Sequence, residues 1–93
     1  MIKRFRIRFY GRVQGVGFRY TAYNLAHDLG LTGWVENEFD GTVLCEVQGE
    51  RSVIDKFLER LNLARYIRID DMDIKEITVD ESERSFEYGN RIF

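Results

Sequence analysis

From Arg4 to Tyr10 polar and apolar residues alternate, with Phe5, Ile7 and Phe9 on one side and Arg4, Arg6 and Arg8 on the other. A period of two is that of a strand with one buried face. The period then changes. Phe18, Ala22, Leu25 and Leu29 recur at helical spacing with Ala26 beside them, and Gly30 stands where helices commonly stop, which predicts a helix from about Phe18 to Leu29. Leu31 to Asn37 reads as a second strand, with Trp34 as its bulk. Asp40-Gly41 signals a hairpin turn. Thr42 to Gln48 alternates again, placing Val43, Cys45 and Val47 inward and Thr42, Leu44, Glu46 and Gln48 outward.

Ser52 followed by Asp55 resembles a capping box, and Ile54, Phe57, Leu58 and Leu61 form the stripe of a second helix reaching about Leu63. Ile67 and Ile69, then Ile74, Ile77 and Val79, are strand material that the acidic run Asp70-Asp71-Met72-Asp73 is expected to interrupt. Phe86, Tyr88 and Ile92 suggest a last short edge strand. The order β-α-β-β-α-β with right-handed crossovers puts two helices on one face of a mainly antiparallel sheet of four to five strands. This is a ferredoxin-like α+β sandwich. A chain of 93 residues suits one domain, 1–93, with no repeat or linker.

Composition narrows the chemistry. The net charge is -2, so nothing pulls the chain as a whole toward nucleic acid or an anionic membrane. One cysteine, Cys45, excludes an internal disulfide, and one histidine, His27, excludes a multi-histidine metal site. No apolar run is long enough to span a membrane, and the chain reads as a cytoplasmic protein. His27 falls off the apolar stripe and is expected at the surface. Cys45 shares a face with Val43 and Val47 and is expected to be inert. The stripe Arg4, Arg6, Arg8 lies on the helix-free face, where it could serve RNA or pair with carboxylates such as Glu46 or those of the 70–76 segment. The absence of aromatics from the stripe favours pairing.

One segment asks for a function. Gly11, Gly15 and Gly17 fall between a strand and a helix, where backbone N–H groups can converge on an anion. Arg19 sits in the helix's first turn, an unfavourable place for a cation unless an anion is bound there. A parallel first and second strand would bring Asn37 to the same sheet edge as this loop. The same glycines also suit a merely tight turn, and spacing alone leaves both readings open.

Gly11-Arg-Val-Gln-Gly-Val-Gly-Phe-Arg19, Leu29-Gly30-Leu31, Gly33-Trp34-Val35-Glu36-Asn37, Asp40-Gly41-Thr42-Val43 and Gln48-Gly49, in this order, resemble the acylphosphatase family. The resemblance implies hydrolysis of the carboxyl-phosphate bond of small acyl phosphates by a monomer, without metal, cofactor, nucleic acid or membrane. It implies that the amides of Gln14, Gly15, Val16, Gly17 and Phe18, with Arg19, hold the phosphate, and that Asn37 positions the attacking water. A non-catalytic anion- or partner-binding module of the same fold is the alternative. The chain departs from the family's pattern at its end: it has no proline, and it closes on Asn90-Arg91-Ile92-Phe93 rather than a tyrosine.

Overall fold

The computed structural model describes residues 1–88. Its elements run β1 (Ile2–Arg12), α1 (Phe18–Leu29), β2 (Thr32–Asn37), β3 (Val43–Glu50), α2 (Arg51–Asn62), β4 (Arg68–Ile77) and β5 (Phe86–Tyr88). The five strands form one sheet in the order β4-β1-β3-β2-β5. All pairings are antiparallel except β2 with β5, which is parallel. The architecture is the expected ferredoxin-like α+β fold, with a fifth strand added at the β2 edge.

The core lies between the helices and one sheet face. Phe5, Ile7 and Phe9 of β1, Val43, Cys45 and Val47 of β3 and Val35 of β2 meet Phe18, Ala22 and Ala26 of α1 and Ile54, Phe57 and Leu61 of α2, all buried. Both helices thus bury the stripe the sequence marks. α2 starts two residues earlier than a Ser52 cap would allow: Glu50 is the N-cap and makes no side-chain capping bond, so Ser52 and Asp55 form no capping box. Asp55 instead accepts a hydrogen bond from Arg51 at 3.2 Å.

The acidic run does not interrupt β4, which continues through Asp70 to Asp73. β4 is an edge strand pairing only with β1, and its side chains are almost all exposed. An edge strand needs little apolar surface, and charges there discourage pairing with other chains. The irregularity sits on the register instead, between Tyr10 and Gly11 opposite the β4 start.

The helix-free face is less open than alternation implies. Leu44, Thr42 and Gln48 point outward yet are buried. Arg8 and Glu36 flank Leu44 from the two neighbouring strands. The segment 78–85 must carry the chain from β4 at one edge to β5 at the other, and it crosses this face. On the way, Asp80 exchanges two hydrogen bonds with Gln48, donating at 2.8 Å and accepting at 3.0 Å. Glu83 accepts from both terminal nitrogens of Arg4 at 2.7 and 3.1 Å.

The arginine stripe is engaged with carboxylates. Arg4 donates to Glu46 as well as Glu83, Arg6 lies 3.5 Å from Glu46, and Arg8 lies 3.8 Å from both Glu38 and Asp40. Glu46 was expected as a partner. The 70–76 segment was expected too, but Glu76 pairs with Lys3. Burial acts to lower the pKa of Arg4, and the hydrogen bonds and charges of Glu83 and Glu46 outweigh it, so the guanidinium is held protonated more firmly than usual. Phe86 and Tyr88 form the expected final strand, whereas Ile92 lies outside the described residues.

Candidate active site

β1 and β2 both run antiparallel to β3, hence parallel to each other, and Val43 of β3 pairs with Phe9 on one side and Asn37 on the other. The chain leaving β1 therefore enters its loop at the edge of the sheet where Asn37 ends β2. Gly11 belongs to β1 itself. The loop proper spans 13–17, anchored by the fully buried Val13.

Gly15 and Gly17 adopt left-handed backbone, at φ 72° and 77°. A Cβ at either would meet nothing within 4 Å, so the glycines serve conformation rather than clearance. Gly17 is the N-cap of α1 and offers no side chain to the helix. Its carbonyl accepts the N–H of Thr21 at 2.9 Å, the first bond of the helix. The N–H groups ahead of Thr21 are left without helical partners, at the positive end of the helix dipole.

These groups border a cavity of about 170 Å³ that opens to solvent. Its lining includes Gly15, Gly17, Phe18, Arg19 and Asn37, with Val13, Tyr20 and Tyr88 around them. Among the described residues Arg19 is the one ionised side chain in that lining, and α1 has no acidic residue in its first turn. Among the described residues neither the Arg19 guanidinium nor the Asn37 amide has a hydrogen-bonding partner. A guanidinium, helix N-terminal amides and a neutral amide around one opening suit a tetrahedral oxyanion. Two wider grooves of about 560 and 600 Å³ lie on the helix-free face, but their arginines, Arg4, Arg6 and Arg8, are already engaged by carboxylates.

Gln14 and Val16 do not line the cavity. Val16 packs against the core. The Gln14 side chain turns to the β2–β3 hairpin, donating from Nε2 to the carbonyls of Glu38 at 2.7 Å and Thr42 at 2.9 Å. Tyr20 and Tyr88, by contrast, are lining residues that sequence reasoning missed. Tyr20 adjoins Arg19 in the chain and could have been suspected. Tyr88 reaches the site because β5 pairs in parallel with β2, opposite Val35, and its ring leans on Tyr23 at 5.1 Å; no local pattern announces this.

Two residues judged inert are so placed. His27 is exposed and stacks on Tyr23. Cys45 is fully buried, and loss of solvation pushes its thiol pKa far up. Among the described residues no group of three or more His, Cys, Asp or Glu could hold a metal ion, and no helix is long and apolar enough to cross a membrane.

Comparison with known proteins identifies the family. The family model for acylphosphatase matches residues 5–88. The chain belongs to the acylphosphatase family. The acylphosphatase of Clostridium acetobutylicum is 42% identical over 87 residues, covering 92% of this chain and 96% of that one. That of Clostridium perfringens is 49% identical over 77 residues, covering 82% and 86%. The crystal structure of acylphosphatase from Bacillus subtilis superposes with a TM-score of 0.86 at 32% identity, covering 96% of this chain and 99% of that one.

Proposed function

We propose that this acylphosphatase cleaves acyl phosphates with Arg19 and the loop amides as the phosphate clamp and Asn37 as the residue that aims water. Water attacks phosphorus, the bond to the acyl oxygen breaks, and the carboxylate leaves with the electron pair. The water's proton passes to a phosphate oxygen, so no side chain has to act as base. Phosphoryl transfer through a loose transition state asks mainly for positioning and charge stabilisation. Preorganised N–H donors and one guanidinium offer both. The mechanism calls for no metal and no covalent intermediate.

The observation that carries the reading is the shared opening of the α1 N-terminus, Arg19 and Asn37, reached from two strands that flank Val43. Nothing in the comparisons favours a non-catalytic module, since the relatives quoted above match as acylphosphatases over most of their length. In this reading the protein works as one domain over residues 1–93, as a cytoplasmic monomer that acts on a small molecule and not on nucleic acid. Hydrolysis of benzoyl phosphate by the wild-type protein, unchanged by a chelator and competitively inhibited by phosphate, is the expected result. The same rate in an Arg19→Ala protein would refute the mechanism.

A further inference from the structure

The loop and Asn37 come from strands that do not touch, because β3 lies between β1 and β2. Sheet hydrogen bonding therefore fixes their separation only to within the freedom of the loop. We infer that the Gln14 side chain is the positioning residue that sets this separation. Its two N–H groups are both used, one on the carbonyl of Glu38 and one on that of Thr42. Glu38 follows Asn37 directly, and the Glu38 N–H closes the hairpin by donating to Thr42 at 2.9 Å. Gln14 thus grips both sides of that closure. Among the described residues no other hydrogen bond joins loop 13–17 to the turn.

The turn end of the clamp is itself braced. The Asp40 carboxylate accepts the Thr42 N–H at 3.0 Å and its hydroxyl at 2.6 Å, and Arg8 donates to the same hydroxyl at 2.7 Å. The amide of Gln14 consequently pulls against a rigid turn rather than a loose one.

The inference rests on the proposed roles of Arg19 and Asn37, and it separates two kinetic constants. The phosphate donors stay in place without the clamp, so substrate and phosphate binding should survive its loss. The water on Asn37 would be misplaced relative to phosphorus, and a misplacement of about 1 Å can cost about 10²-fold in rate. Gln14→Met keeps the length and removes both donors. With benzoyl phosphate its kcat should fall about 10- to 100-fold, while KM and the inhibition constant of phosphate move less than about threefold. Gln14→Ala should behave the same way.

Unchanged kcat in a folded Gln14→Met protein would overturn the inference. So would parallel loss of kcat and phosphate affinity, which would make Gln14 part of the anion site. Failure of both variants to fold would overturn it too, since the clamp would then hold the structure rather than the water. A wild-type protein without turnover would instead sink the catalytic reading itself.

Discussion

Phe9 and Asn37 face the same residue, Val43, from opposite sides of β3. The first is buried core and the second borders the cavity, so one β3 position ties the packing to the site. Everything the proposed chemistry uses is hung from that edge of the sheet: the loop leaving β1, the N-terminus of α1 and the end of β2.

The left-handed backbone at Gly17 makes a graded prediction. An L-residue there costs about 1–2 kcal/mol, and asparagine bears it better than most. No atom lies where a Cβ would go, so the cost is conformational alone. Gly17→Ala should lower the urea unfolding free energy by about 1–2 kcal/mol, and Gly17→Asn by less. Equal losses in both variants would mean that a hidden steric contact, not φ, sets the requirement.

Arg4 is 4% exposed and its partner Glu83 14%. Removing one partner of a buried pair strands the other charge and costs about 3–5 kcal/mol when burial is complete; Glu46 still faces Arg4, so the loss should be smaller. Glu83→Gln should destabilise the fold by about 1–3 kcal/mol in chemical denaturation. It should also loosen the segment that delivers β5, seen as faster amide exchange at Phe86. An unchanged midpoint would show that this crossing segment does not depend on the pair.

Asp40 accepts two bonds from Thr42, first its hydroxyl and then its N–H, and both hold the carboxyl pKa below its ordinary 3.8. A carboxylate with a depressed folded-state pKa stabilises the native state above the unfolded value and loses that contribution as pH falls through the folded one. Stability should therefore drop as pH is lowered from about 4, and less steeply in Thr42→Val, which lacks the hydroxyl. Identical acid profiles for the two proteins would remove Asp40 from the account of the turn.

Cys45, fully buried with its thiol held neutral, should resist a thiol reagent in the native protein and react on unfolding. Activity should persist through the native-state treatment. Rapid labelling of the folded protein with loss of turnover would show that the β3 core opens readily.

How far the sequence spoke depends on the range of the interaction. Period-two and helical patterns mark β1, β3 and both helices because each buries one face in a shared core. The loop glycines and Arg19 are legible because left-handed backbone and a cation at a helix N-terminus are local requirements. β4 misled because an edge strand can carry Asp70 to Asp73 without a buried face. The Ser52 and Asp55 spacing misled because Arg51 already begins the helix. Tyr88 beside the cavity, Glu83 under Arg4 and Gln14 on the hairpin depend on pairings across 24 to 79 positions, which no local pattern encodes.

The central claim is that Arg19 holds the phosphoryl group and Asn37 aims the water. It is tested most directly by benzoyl phosphate hydrolysis in wild type, Arg19→Ala and Asn37→Ala, with phosphate affinity measured on all three. Loss of one transition-state donor costs about 10²–10³ in rate. Both variants should fall at least that far, folded, with phosphate affinity lost in Arg19→Ala and kept in Asn37→Ala. Wild-type turnover in either variant, or phosphate binding untouched by Arg19→Ala, would contradict the account.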